Sequence, residues 1–122
     1  THGGGIDFVL GDRFGRASDK ALTQWVKNFL EHCGYRVSMN KPYAGGYITE
    51  HYGQPLNGLH ALQIEINRTI YMDEQNYQPH HGYRLVQNNM RSMMAALRDD
   101  IESLAPHLRR KNNPDAEKSA AE

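Results

Sequence analysis

The order of hydrophobic patterns near the amino end restricts the folds open to this chain. Residues 6–10 form a short apolar run that stops at a glycine-bounded turn, which predicts a buried strand. Apolar side chains then recur on one helical face, which predicts an amphipathic helix of about fifteen residues that begins at Ser18 or Asp19 and ends at Gly34. That face is formed by Leu22, Trp25, Val26, Phe29 and Leu30. Residues 35–40 alternate between apolar and polar, as in a half-exposed or edge strand. The order strand, helix, strand predicts a right-handed crossover unit and therefore an α/β fold.

Further segments extend this pattern toward the carboxyl end. Residues 41–58 are rich in glycine, proline and tyrosine, have no period and exceed the length of most connections, so we expect a long functional loop. Residues 59–67 are mostly apolar and predict a central strand that is covered on both faces. Residues 83–104 carry an apolar stripe at helical spacing, which predicts a second helix that Pro106 ends.

The length of 122 residues allows one domain with a modest core. We assign residues 1–105 to this domain. Residues 106–122 have few apolar groups to offset the entropy of ordering, so we expect them to form a disordered tail. The chain starts with neither an initiator Met nor a signal peptide, and we expect it to begin inside a longer protein.

The composition excludes several classes of partner. The chain has 14 Lys+Arg and 14 Asp+Glu, so its net charge is zero and a basic surface for nucleic acid is not expected. Hydrophobic residues make up 39% of the chain and form no run long enough to span a membrane. Cys33 is the only cysteine, which excludes an internal disulfide and is typical of a reducing compartment.

Glu65 is the residue most indicative of function, because an acid within an apolar strand is costly to bury unless it is paired or faces a polar cleft. It lies near the carboxyl end of its predicted strand, where ligands bind in open α/β sheets. The alternative is a structural ion pair with Arg68 or Arg84. Position along the chain does not decide between these two hypotheses.

A glycine-rich segment, residues 42–53, is the second candidate site. Gly45 and Gly46 allow backbone to approach a ligand closely, and Thr49 and His51 supply hydrogen-bond donors, a composition that suits a carboxylate. The alternative is a solvated surface turn. The seven histidines include no HExxH pair, so we assign no metal ligand within the chain.

Several blocks of sequence together resemble the N-formylglutamate amidohydrolase family, whose members are also called N-formylglutamate deformylases. These blocks read DFVLG at residues 7–11, GGYITEHYG at 45–53 and HALQIEINR at 60–68, followed by YMDE at 71–74. They come in the order of the family, so the resemblance is specific.

The resemblance implies a three-layer α/β sandwich like that of the zinc-dependent exopeptidases. It also implies cytoplasmic, zinc-dependent hydrolysis of N-formyl-L-glutamate, or a related N-acyl amino acid, to formate and L-glutamate, as a step of histidine breakdown. Matching the strand motif residue by residue makes Glu65 the general base. The residues that the resemblance assigns to substrate binding are Gly45, Gly46, Thr49, His51 and Arg68.

The motifs that supply zinc ligands in the family lie upstream of any block present here. The chain therefore resembles the carboxyl-terminal portion of a family member, and we expect its zinc ligands to lie upstream. We also expect either a missing amino-terminal segment or self-association to cover its apolar sheet surface, and little activity from this portion alone. The alternative function is a non-catalytic binding or assembly module that holds an acidic small ligand through Gly45 and Gly46.

Overall fold

The computed structural model describes residues 5–111 and has a mixed α/β architecture. A three-stranded sheet contains β1 (Phe8–Gly11), β2 (Val37–Met39) and β3 (Gln63–Ile66). Strand β1 lies in the middle and pairs in parallel with β2 and antiparallel with β3. The predicted pair of parallel strands joined by a helix is therefore confirmed.

The prediction of a central third strand is wrong for the described sheet. Strand β3 covers only Gln63–Ile66 and lies at the edge, beside β1 alone. Ile64 and Ile66 pack against the core, whereas Gln63 and Glu65, which alternate with them, point to the other face. The apolar run before the strand, residues 59–62, made the segment resemble a strand buried on both faces.

The first helix, α1 (Lys20–His32), agrees with the predicted one. The carboxylate of Asp19 accepts a hydrogen bond from the backbone N–H of Ala21 at 2.8 Å, so Asp19 rather than Ser18 is the N-cap. Gly34 follows the C-cap residue and has a φ of 95°, a left-handed conformation that glycine adopts without steric cost. This turn leads the chain directly into β2.

The segment predicted to be a loop, residues 41–58, contains a short helix, α2 (Tyr47–Tyr52), and a 3-10 helix at Pro55–Asn57. A helix of six residues is too short to show a helical period in the sequence. The glycine-rich stretch is thus the entry to a helix and not an irregular loop throughout. The chain beyond β3 adds a 3-10 helix at Arg68–Ile70 and a hairpin of β4 (Met72–Asp73) and β5 (Gln78–Pro79).

The last helix, α3 (Gly82–Leu108), continues past Pro106, so the prediction that this proline ends it is wrong. A proline this close to the end of a helix removes only one backbone hydrogen-bond donor. The turn that follows it is held by hydrogen bonds to residues of other segments. His60 accepts a hydrogen bond from the N–H of Asp19 at its Nδ1, so its Nε2 donates to the carbonyl of Leu108 at 2.8 Å. The backbone N–H of Lys111 donates to the carbonyl of Leu56 at 2.8 Å.

These contacts also correct the predicted tail. Residues 106–111 belong to the folded part, whereas residues 112–122 lie outside the described residues.

The core lies between one face of the sheet and the helices α1 and α3. Its buried members are Phe8, Leu10, Val26, Leu30, Ile70, Val86 and Met93. Residues 5–111 therefore form two layers, and the three-layer sandwich stays a prediction. Within the same residues, the helices are too short or too polar to cross a bilayer.

Candidate active site

Strand register places Glu65 on the face of the sheet opposite the core. Glu65 pairs with Val9 of β1, and Val9 pairs with Ser38 of β2. Side chains of residues paired across strands point to the same face, and neighbours along a strand point to opposite faces. Phe8 and Leu10 face the core, so Val9, Ser38 and Glu65 face away from it. Glu65 is therefore held on a rigid strand without lying in the apolar core.

The side chain of Glu65 is oriented by Gln63, its neighbour on the same face. The amide Nε2 of Gln63 donates to Oε1 of Glu65 at 2.9 Å. The ion pairs found within residues 5–111 do not include Glu65, and Arg68 pairs instead with Glu74 at 3.6 Å. The alternative of a structural ion pair is therefore wrong for the described residues. The carboxylate keeps its other oxygen without a hydrogen-bond partner among these residues, so that oxygen is open to a water or a substrate.

The glycine loop lies against the carboxyl end of β1. A Cβ on Gly11 would lie 2.7 Å from the carbonyl carbon of Ala44 and 2.8 Å from the nitrogen of Gly45, so only glycine permits this approach. The backbone N–H of Arg13 donates to the carbonyl of Ala44 at 2.8 Å and fixes the contact.

Gln63 links this loop to Glu65. A Cβ on Gly46 would lie 3.3 Å from Oε1 of Gln63, so the Gln63 amide lies directly over Gly46. The structure thus places Gly46 beside Gln63 and Gln63 beside Glu65, and the role of these residues in one substrate site stays a prediction.

Thr49 is buried and caps α2 from within the site. Its hydroxyl accepts a hydrogen bond from the N–H of Gly46 at 2.9 Å and donates to the carbonyl of Gly46 at the same distance. These two hydrogen bonds fix the conformation of the glycine loop. Thr49 therefore has a clear structural role, and direct binding of substrate by its hydroxyl stays a prediction.

The structure does not link His51 and Arg68 to Glu65. The ring of His51 is exposed, stacks on Tyr47 with centroids 5.2 Å apart, and meets Tyr52 edge-on. The side chain of Arg68 is 59% exposed and makes its ion pair with Glu74. Substrate binding by these two residues stays a prediction.

Arg13 is a site residue that the sequence analysis missed. A Cβ on Gly45 would lie 3.0 Å from Cγ of Arg13, so the aliphatic stem of the arginine packs against the glycine loop. Its guanidinium lies 3.9 Å from a carboxylate oxygen of Glu50. Position after β1 was the available signal, since ligands bind at the carboxyl ends of strands in α/β sheets. Gln63, also missed, could have been found from its position two residues before Glu65 on the same face.

A buried polar network holds the turn that carries Arg13. The carboxylate of Asp12 accepts hydrogen bonds from the Thr23 hydroxyl at 2.7 Å and from the Asn40 amide at 2.9 Å. The side-chain oxygen of Asn40 in turn accepts a hydrogen bond from the backbone N–H of Asp12 at 3.0 Å. Arg13 has a φ of 53°, an uncommon left-handed conformation that this network stabilises. The backbone at Arg13 is thus fixed by contacts within the described residues.

No cluster of three or more histidine, cysteine or acidic side chains that could hold a metal ion occurs within residues 5–111.

Replacement of Gly11 by alanine is expected to lower the free energy of unfolding by about 1–3 kcal/mol, because the new Cβ forces the backbone of Ala44 and Gly45 off the strand. The amide NMR signals of Gly45 and Gly46 should shift together, and urea unfolding gives the stability. Gly34→Ala is the matched control: a Cβ there meets nothing within 4 Å, so only its left-handed φ is penalised and the loop signals should stay in place. Unchanged loop signals in Gly11→Ala would contradict the role given to Gly11.

The fold just described is similar to that of a solved amide hydrolase, the N-formylglutamate amidohydrolase from Ralstonia eutropha JMP134. The two structures superpose with a TM-score of 0.77 and 30% identity, over 84% of this chain and 37% of the solved chain. The sequence model of the N-formylglutamate amidohydrolase family matches residues 2–72, more than half of the chain. The chain belongs to this family, which confirms the prediction made from its motifs.

Two curated relatives are N-formylglutamate deformylases of Pseudomonas species. The protein from Pseudomonas aeruginosa is 41% identical over 70 residues, which are 57% of this chain and 26% of the relative. The protein from Pseudomonas putida is 38% identical over 69 residues, which are 56% of this chain and 26% of the relative. The chain thus spans about a quarter of the length of these relatives.

Proposed function

We propose that this chain takes part in the hydrolysis of N-formyl-L-glutamate, or a related N-acyl amino acid, to formate and L-glutamate, with Glu65 as the general base. The observation that carries the proposal is the position of Glu65. Its carboxylate lies on the open face of the sheet, beside the glycine loop, oriented by Gln63 and without a cationic partner among residues 5–111. Membership of the family and the names of the relatives support the choice of substrate.

Glu65 would act on the water that attacks the formyl carbon. Its carboxylate accepts the proton of that water as the new C–O bond forms, and then gives the proton to the amide nitrogen as the C–N bond breaks. Gln63 holds one carboxylate oxygen at 2.9 Å, which leaves the other oxygen for the proton. The backbone of Gly45 and Gly46 lies beside this carboxylate and can approach a substrate closely, because neither residue has a side chain.

Zinc is part of the proposal for the complete enzyme, in which it would polarise the formyl carbonyl. Its ligands are proposed to lie upstream of the sequence blocks found here, and the steps assigned to Glu65 do not depend on the position of the metal. A cytoplasmic location and a place in histidine breakdown belong to the same proposal. So does completion of the open sheet face by further polypeptide or by a second copy of the chain.

The test is formate release from N-formyl-L-glutamate with added zinc. It compares the 122-residue chain with a chain extended at its amino end to the length of the relatives. Release by the extended chain is the expected result. Binding of N-formyl-L-glutamate without release by the extended chain would overturn the catalytic proposal and favour the non-catalytic module. Release by the short chain would overturn the placement of the zinc ligands.

A further inference from the structure

Arg13 carries a guanidinium that the described structure leaves poorly paired. Its side chain is only 29% exposed, because the stem packs against Gly45. The described polar contact of the guanidinium is with Glu50, at 3.9 Å, and Glu50 is 68% exposed. An exposed ion pair of this length contributes little free energy. The guanidinium is therefore available to a better anion.

The surroundings of Arg13 suit a carboxylate ligand. The backbone of the turn is fixed by the buried network of Asp12 and Asn40 and the stem of Arg13 packs against Gly45, so only the outer part of the side chain is ordered on binding. A guanidinium presents parallel N–H donors that match both oxygens of a carboxylate. Glu50 occupies this position only weakly, and a substrate carboxylate would displace it.

We propose that Arg13 binds the side-chain carboxylate of the substrate and sets the preference for acidic N-acyl amino acids, an inference that rests on the proposed function. The reacting formyl group must lie at Glu65. Gln63 contacts Glu65, and the two glycines lie between Gln63 and Arg13. We therefore assign the arginine to the carboxylate of the substrate that is farther from the formyl group. The α-carboxylate, which is nearer to the reacting bond, does not reach as far.

The experiment compares kcat/KM for N-formyl-L-glutamate and N-formyl-L-glutamine in the extended, active chain. Arg13→Gln is expected to lower the value for the glutamate substrate by about 10- to 100-fold and to leave the glutamine substrate within about 2-fold. Arg13→Lys should recover part of the loss, because lysine restores the positive charge but not the parallel N–H donors of a guanidinium. Arg98→Gln, which removes an exposed arginine of α3, is the matched control and should change neither value.

The two substrates separate the possible roles of Arg13. An equal loss of kcat/KM for both substrates would assign Arg13 to the α-carboxylate or to folding and would overturn the proposal. Unchanged kcat/KM for both substrates would overturn it as well. If no form of the chain hydrolyses either compound, the proposed function fails, and calorimetric binding of the same two compounds still tests Arg13. The proposal is supported if the unmodified chain binds the glutamate compound more tightly and the Arg13→Gln variant loses this preference. Retained preference, or no binding by the unmodified chain, overturns it.

Discussion

Glu65→Gln is expected to lower kcat for formate release by about 10²- to 10⁴-fold, the range that a general base contributes. The amide has the size and shape of the carboxylate, so β3 and its pairing with β1 should be unchanged. An amide cannot accept the proton of the attacking water at neutral pH, so the chemical step is lost while substrate binding is kept. KM should therefore change little, and kcat and kcat/KM should fall together. The measurement is steady-state formate release by the extended chain.

A second acid provides the control for this substitution. Glu31 lies on α1, is exposed, and pairs with Lys27 at 2.9 Å on the side of the sheet away from Glu65. Glu31→Gln removes the same charge and should leave kcat unchanged. Circular dichroism shows whether both variants are folded. A folded Glu65→Gln variant that keeps a tenth or more of the activity would show that Glu65 is not the base.

The sequence correctly predicted the elements that depend on residues close together in the chain. The helix α1 was predicted with Ser18 or Asp19 as its N-cap, and Asp19 is the observed one; capping chemistry and one apolar face both depend on neighbouring residues. The antiparallel edge position of β3 was not predicted, because pairing depends on contacts between residues far apart in sequence. Pro106 was misjudged for the same reason: its turn is held by His60, which is distant along the chain.

The candidate site shows the same division. Glu65 and the pair Gly45 and Gly46 stand out in the sequence, because an acid in a strand and adjacent glycines are locally unusual. Arg13 does not, because its importance comes from contacts with Gly45 and Glu50, more than ten positions away. Gln63 has a local signal, its position two residues before Glu65, but its contact with Gly46 depends on the fold. The buried network of Asp12, which sets the position of Arg13, joins three separate segments and has no local signature.

Leu30→Ala is expected to lower the free energy of unfolding by about 2–5 kcal/mol, a larger effect than the one expected of Gly11→Ala. Leu30 is 0% exposed and packs in the single described core cluster, between the sheet and α3. Removing its side chain loses apolar burial and leaves a cavity that rigid strands fill only partly. Small domains have total stabilities of about 5–15 kcal/mol, so this loss is a large fraction. Urea unfolding followed by circular dichroism measures it.

Leu85→Ala is the matched control, because Leu85 is the same residue type on α3 and is 60% exposed. It should change stability by no more than about 0.5 kcal/mol. Equal effects of the two substitutions would show that the core does not lie where α1, α3 and the sheet meet.

The same substitution separates stability from catalysis. Leu30 belongs to the same core cluster as Phe8 and Leu10, on the face opposite Glu65, so its loss should reduce the fraction of folded molecules without altering the site in those that remain. Activity of Leu30→Ala in the extended chain should therefore fall in proportion to the folded fraction as urea is added, with KM unchanged. The Glu65→Gln variant should show the reverse pattern, full folding with little turnover. A change of KM in Leu30→Ala would mean that the core face and the open face of this thin sheet are coupled, and that the strand β1 transmits packing defects to Arg13 and the glycine loop.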